Sequence, residues 1–202
     1  MCYNVHNAFF TGEIKMSLNI QKAIIFATLK HEGQKRKGTN IPYIVHPMEV
    51  MQILTELRCT ENVIIAGILH DTLEDTDATP EEIKELFGAD VLSIVQGESE
   101  DKSKTWKERK AATIERLKGE NPATKLVCFA DKLSNIRSMY RDKQEVGAEL
   151  WKRFNADKDS IEWYYRGVAA ALLNPGTDGK MSGAAYSKLY KEFKKTIDKV
   201  FQ

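Results

Sequence analysis

The sequence predicts an all-α fold, on three observations. Apolar residues recur at helical spacing in segment after segment. No stretch of useful length alternates apolar and polar residues as a half-buried strand would. Helix start and stop signals fall between the periodic segments. The chain has 202 residues, which suits one domain with additional helices. That length buries a core without needing disulfides or a structural metal.

Ile20, Ala23, Ile24 and Ala27 mark one face of a first helix, and His31 continues that face until Gly33 stops it. A loop over 34–42 follows, with Lys35, Arg36 and Lys37 in a row. Pro47 suits the first position of a second helix. Its ring also biases His46 toward an extended backbone. Val63, Ala66, Gly67 and His70 form the inward stripe of a third helix. Thr79-Pro80-Glu81-Glu82 has the form of a capping box opening another. Helices are expected over 92–100, 106–117 and 124–140, with Asn121-Pro122 as the break before the last. The segment 174–179 is the clearest late loop. Tyr186, Leu189, Tyr190, Phe193, Ile197 and Val200 then stripe a terminal helix, where packing on the body is the expected role. Core packing is also expected for Trp151, Phe154, Trp163, Tyr164 and Tyr165.

Composition bounds the function. Thirty Lys and Arg against 29 Asp and Glu leave a net charge of +1. That argues against a nucleic-acid partner, which calls for a large basic excess. A small anionic ligand is still compatible, because a local basic patch fits inside a balanced total. Cys2, Cys59 and Cys128 are far apart and form no CxxC, so they are expected as reduced thiols of a cytoplasmic protein. No apolar run is long enough to span a membrane, and no signal peptide is indicated. Residues 1–15 are expected to be an N-terminal extension without function. Residues 16–202 would form the domain, with a core over 19–141 and C-terminal helices over 142–202.

The chemistry concentrates in three places. His70-Asp71 ends an apolar stripe and is followed by Thr72, Leu73, Glu74 and Asp75. If the helix continues, His70 faces Glu74 and Asp71 faces Asp75 at i, i+4. Three clustered carboxylates repel one another unless protons or a cation intervene. A divalent metal resolves that conflict, and a solvated acidic helix end is the alternative. His46 is the second candidate, as a ligand or as a capping histidine. Asp131 is the third, at the end of the apolar run 126–130 and on a polar stripe with Ser134, Asn135 and Ser138. A buried aspartate calls for a cation, either a metal or an arginine such as Arg137 or Arg141. Together His46, His70, Asp71 and Asp131 make a nitrogen–oxygen set suited to a transition or harder divalent ion. Such an ion acidifies a bound water. Glu74 and Asp75 are placed to accept its proton or orient it. Basic residues then suggest a phosphate-rich substrate: Lys35, Arg36 and Lys37; Lys102, Lys104, Arg109 and Lys110; and Lys132, Arg137 and Arg141 near Asp131. Arg36 could also stack on a nucleobase.

In this order the residues resemble the HD-domain metal phosphohydrolases. The stretch 26–141 resembles the hydrolase domain of the Rel/SpoT alarmone enzymes, and more closely the stand-alone small alarmone hydrolases. The motifs that carry this are His31-Glu32-Gly33-Gln34-Lys35-Arg36-Lys37, Pro42-Tyr43-Ile44-Val45-His46-Pro47 and His70-Asp71-Thr72-Leu73-Glu74-Asp75-Thr76. Phe87-Gly88, Glu100-Asp101-Lys102 and 130–137 continue it. The resemblance implies an HD helical bundle with one divalent ion, usually Mn²⁺, on His46, His70, Asp71 and Asp131. It implies a catalytic acidic pair in Glu74 and Asp75, and substrate contacts from Arg36, Lys37, Tyr43 and Asn135. Lys102 and Arg109 join these as candidate phosphate contacts. The implied reaction removes the 3′-diphosphate of ppGpp or pppGpp, giving GDP or GTP and pyrophosphate. One departure falls in the base loop. The family pattern is Arg-Lys-Ser-Gly or longer, whereas Arg36-Lys37 runs directly into Gly38-Thr39-Asn40-Ile41. No room is left after residue 141 for a synthetase domain, so hydrolysis alone is expected. A related phosphohydrolase acting on another nucleotide, or a non-catalytic nucleotide-binding module, are the alternatives. The sequence leaves the oligomeric state open.

Overall fold

Ten α-helices and one 3-10 helix build the computed structural model, which describes residues 17–97 and 103–202. Among these residues there is no strand, only an isolated bridge between Lys35 and Pro42 that closes the basic loop. The helices are α1 (Leu18–Lys30), α2 (Val45–Glu56), α3 (Glu61–Leu69), α4 (Thr72–Asp75), α5 (Pro80–Phe87), α6 (Ala89–Gln96), α7 (Trp106–Gly119), α8 (Pro122–Val146), α9 (Lys158–Ala171) and α10 (Gly183–Phe201). The 3-10 helix covers Gly147–Arg153. The N-terminal extension, Lys102 and the end of the helix expected over 92–100 lie outside the described residues.

Helix α3 is the axle of the fold. Every residue from Val63 to Leu69 is buried, because α3 packs against α1, α2, α6 and α8 at once. Gly67 permits the closest of these approaches, since a methyl there would run into the Leu54 side chain. The expected capping box is present: Thr79 Oγ1 accepts from Glu82 N, and Glu82 Oε2 accepts from Thr79 N at 2.8 Å. Helix α8 runs farther than its periodic core suggests, from Pro122 at its first turn to Gly147, whose positive φ of 58° ends it.

The C-terminal helices pack as expected. Phe193 and Phe129 meet edge to face at 5.7 Å. Tyr186 and Tyr190 bury their rings beside Phe129 and donate to the carbonyls of Leu172 and Ala169 at 2.5 and 2.6 Å. Trp163 departs from the expectation and stands 41% exposed on α9, under the Lys107 ammonium.

Two local expectations need correction. His46 is helical rather than extended, and α2 begins at Val45. Pro47 is accordingly the third residue of α2 rather than its first, where its missing N–H still costs no intrahelical bond. His46 N instead closes a tight turn onto Tyr43 O at 2.9 Å. The second correction concerns the doublet. Helix α3 stops at Leu69, and a turn through His70 and Asp71 separates it from the four-residue α4. Side chains there take over the backbone acceptors. His70 Nδ1 bonds Gly67 O at 2.8 Å and Thr72 Oγ1 bonds Leu69 O at 2.7 Å.

Candidate active site and metal centre

The break at His70 sets the site. It turns His70 and Asp71 toward the first turn of α2, which brings His46, and toward the middle of α8, which brings Asp131. The two imidazoles face each other with their Nε2 atoms 3.2 Å apart. Asp131 Oδ1 stands 3.1 Å from His46 Nε2 and 3.7 Å from His70 Nε2. Asp71 Oδ2 stands 2.9 Å from His70 Nε2 and 3.6 Å from His46 Nε2. Donors of His46, His70 and Asp131 all lie within 4.8 Å of one another, and the three residues are buried.

The ring of hydrogen bonds around the cluster fixes which atoms face inward. Ser134 Oγ donates to Glu49 Oε2 at 3.1 Å, so it accepts from His46 Nδ1 at 2.9 Å. His70 Nδ1 donates to the Gly67 carbonyl. Both imidazoles therefore use Nδ1 as a donor and turn Nε2 inward, the nitrogen a metal would take in place of a proton. Histidine nitrogen and carboxylate oxygen bind a divalent ion at about 2.0–2.2 Å, which sets neighbouring donors roughly 3 Å apart. The observed edges, from 2.9 to 3.7 Å, fit that requirement.

The electrostatics point the same way. Burial would lower the His70 pKa, yet the carboxylates of Asp71 and Asp131 outweigh it and hold His70 well above its usual range. Burial wins at His46 and holds it below that range, against the pull of Asp131. Burial opposes ionisation of Asp71 and Asp131 too, but His70 for the first, and Lys132 with both imidazoles for the second, keep them low. The buried Asp131 and the part-exposed Asp71 thus demand positive charge between the imidazoles, a demand that a divalent cation meets. Asp131 finds its protein cation in Lys132, at 2.6 Å, and not in Arg137 or Arg141. Those arginines are committed to Glu49 and Glu192.

A second ring positions the carboxylates. Tyr43 donates to Asp71 Oδ2 at 2.5 Å, and burial, then Asp71, push its phenol above the usual range, so it stays protonated. Asn135 donates through Nδ2 to Asp131 Oδ1 and accepts from Arg36 Nη2 at 2.6 Å. The Arg36 guanidinium lies 5.6 Å from the centre of the Tyr43 ring.

The cluster opens onto solvent. His70, Asp71 and Asp131 share a cavity of about 240 Å³ with Glu74, Asp75, Arg36, Tyr43, Arg109 and Asn135. The structure thus gathers every predicted site residue that it describes except His46, buried behind, and Lys37. Lys37 lines an adjoining cavity of about 380 Å³, as do Arg36, Tyr43 and Asn135. Sequence reasoning missed one wall of that second cavity. Phe154, Asn155, Ile161, Tyr164 and Tyr165 form it. The spacing of Ile161, Tyr164, Tyr165 and Val168 gives a buried face, but nothing in it separates a cavity wall from core. Lys110 and Lys132 also line both cavities.

The comparisons agree with this architecture. A model of the HD domain matches residues 23–162. The human guanosine-3′,5′-bis(diphosphate) 3′-pyrophosphohydrolase MESH1 is 42% identical over 131 residues, covering 63% of this chain and 73% of that protein. The Aquifex aeolicus enzyme of the same activity name is 40% identical over 148 residues, 72% of this chain but 20% of that protein. The chain therefore spans one fifth of the length of that longer relative. A solved structure titled as a metazoan ortholog of SpoT that hydrolyzes ppGpp superposes with a TM-score of 0.69 at 28% identity, over 89% of this chain and 98% of that one. The Listeria monocytogenes protein lmo0812 superposes with a TM-score of 0.68 at 31% identity, over 77% and 98%. No described helix is long and apolar enough to cross a membrane. On its helical architecture, its buried histidine–aspartate centre and these matches, the chain belongs to the HD-domain family, in the group that contains the MESH1 proteins.

Proposed function

We propose that the chain is a metal-dependent (p)ppGpp 3′-pyrophosphohydrolase. The observation that carries this is the buried group of His46, His70 and Asp131, with Asp71 at its edge, opening onto a cavity lined by cations and a second acidic pair. His46, His70, Asp71 and Asp131 would hold one divalent ion. We assign Mn²⁺, because mixed imidazole and carboxylate donors suit a borderline-hard ion. Bound there, such an ion supplies Lewis acidity toward water and phosphoryl oxygens.

The chain's own residues do the rest. Glu74 and Asp75 flank the cluster on the solvent side and take the proton from the attacking water. That water bonds to the phosphorus on the ribose 3′ oxygen, the P–O3′ bond breaks, and O3′ leaves with a proton as the hydroxyl of GDP or GTP. Pyrophosphate carries away the water oxygen. Arg36, Arg109, Lys110 and Lys132 surround the cavity and offset the charge that develops on the phosphoryl oxygens. Tyr43 and Asn135 keep Asp71 and Asp131 aimed at the ion. We place the chain in the cytoplasm, in keeping with the free, buried Cys59 and Cys128.

The test is turnover of ppGpp by the Mn²⁺-loaded chain. Asp71→Ala and His70→Ala should abolish it together with stoichiometric metal. Glu74→Gln should retain the metal and lose about 100- to 10,000-fold in kcat, the usual worth of general base catalysis. A metal-loaded wild type that leaves ppGpp intact refutes the proposal.

A further inference from the structure

We propose that Asp142 recognises the base of the substrate and selects guanine. This rests on the reading above, that the paired cavities hold a phosphorylated nucleotide with its 3′-diphosphate at the metal cluster. Helix α8 carries the argument. Asp131, Asn135, Ser138 and Asp142 recur at i, i+4, i+7 and i+11, which is one helix face. Asp131 belongs to the metal cluster, and the other three line the larger cavity. Eleven residues of helix separate the two aspartates by about 16 Å along the axis. That is a length on which a nucleotide lies with its diphosphate at one end and its base toward the other.

The charge along this face is graded. Arg36, Lys110 and Lys132 line both cavities and so sit where they join. Asp142 lines the larger cavity alone, and is the one carboxylate among its lining residues. A carboxylate repels phosphate, so its place there calls for a part of the ligand that brings hydrogen-bond donors. Guanine presents two side by side, N1–H and the N2 amine. Adenine presents a bare N1 at the same place, whose lone pair a carboxylate repels.

Asp142 is held ready for that contact. Its Oδ2 accepts from Arg153 Nη1 at 2.9 Å, and its Oδ1 has no hydrogen-bond partner among the described residues. Arg153 is itself fixed by the shortened basic loop. Gly38 adopts a φ of +72°, and a Cβ there would stand 2.5 Å from Arg153 Cδ. Gly38 is therefore what lets the Arg153 stem cross the loop and orient Asp142. Phe154 and Tyr165 line the same cavity, and their rings suit the apolar faces of a base.

The experiment measures binding of GDP, IDP and ADP to the metal-free full chain by calorimetry, for wild type, Asp142→Asn and Arg153→Ala. Wild type should prefer GDP over ADP by about tenfold or more, and IDP, which lacks the N2 amine, should fall between them. Asp142→Asn should weaken GDP by about 10- to 100-fold and change ADP by no more than about threefold. Arg153→Ala keeps the acceptor but removes what orients it, so it should weaken GDP by less than Asp142→Asn does and leave ADP within about threefold. An unchanged GDP-to-ADP ratio in Asp142→Asn overturns the proposal. So does equal wild-type affinity for GDP, IDP and ADP, a result that needs no variant to fold. Selective GDP binding by a chain that hydrolyses nothing would refute the hydrolase reading and leave this one standing. Binding of none of the three overturns the proposal for Asp142, while the hydrolase reading is decided by the ppGpp assay.

Discussion

Replacing Gln34 with alanine should damage stability and turnover together, through one side chain far smaller than either effect suggests. Gln34 Nε2 lies 2.7 Å from the carbonyl oxygen of Asp75, which only accepts, so Nε2 must donate. The other end, Oε1, then accepts from His31 Nδ1 at 2.8 Å. His31 is 3% exposed, and its Nε2 has no hydrogen-bond partner among the described residues. Its ring rests against Tyr43 at 4.7 Å, and Tyr43 holds Asp71. Gln34→Ala strips the His31 ring of the one hydrogen-bond partner it has among the described residues and removes a donor from the Asp75 carbonyl. An orphaned buried donor costs about 1–3 kcal/mol and the exposed bond to Asp75 about 0.5–1.5, so the sum is about 1.5–4.5 kcal/mol. Gln34→Glu returns the acceptor to His31 but not the donor to Asp75, so it should recover the larger share of the stability. Turnover should stay low in both variants, with kcat falling more than KM, because the Asp75 carbonyl loses the Gln34 donor in both. Urea denaturation of the metal-free proteins at constant m-value reads the first effect, and steady-state kinetics reads the second. A Gln34→Ala variant within about 0.5 kcal/mol of wild type, with unchanged kcat, would refute this chain of contacts.

Three further outcomes follow from the same coordinates. Mn²⁺ at about 100 times its dissociation constant should stabilise the wild type by about 2.7 kcal/mol, read as a rise in melting temperature that Asp131→Ala abolishes. Phe193→Ala empties a fully buried position between Phe129 and Tyr165 and should cost about 3–5 kcal/mol in denaturant titrations. Asp178 ties the loop before α10 to the start of α3, accepting from the backbone of Thr60, Met181 and Lys180 at 2.6, 2.8 and 3.0 Å. Burial would raise its pKa, but these amides outweigh it and hold the carboxyl below its usual 3.8. Its contribution is therefore full above about pH 4 and is lost as pH falls through the lower folded value. Asp178→Ala should cost about 1 kcal/mol at neutral pH after allowance for screening, and the gap to wild type should close in acid. A gap that widens in acid would contradict the assignment.

Much of this molecule is legible in its sequence because helical periodicity and capping are local. The Thr79–Glu82 box and the aromatic stripe of α10 appear where spacing puts them. The convergence of His46, His70, Asp71 and Asp131 is legible for a different reason: histidines and aspartates that end apolar runs have few other ways to be satisfied. What stays hidden depends on long-range packing. The turn at His70 arises from side chains capturing backbone carbonyls, and a continuous i, i+4 pattern conceals it. The helical state of His46 depends on Pro47 falling in a first turn rather than before one. The cavity wall from Phe154 to Tyr165 has the same apolar spacing as core, since only the approach of α8 leaves a gap beside it. The sequence leaves Arg137 and Arg141 open as partners of Asp131, because Glu49 and Glu192, which hold them, come from α2 and α10.

The most direct test of the central claim is the fate of the water oxygen. The Mn²⁺-loaded chain is given ppGpp in oxygen-18 water, and the products are identified by mass spectrometry. Attack on the phosphorus at O3′ predicts GDP and pyrophosphate in equal amounts, with the label in pyrophosphate and none in GDP. Release of orthophosphate, label in the ribose hydroxyl, or intact ppGpp would contradict it.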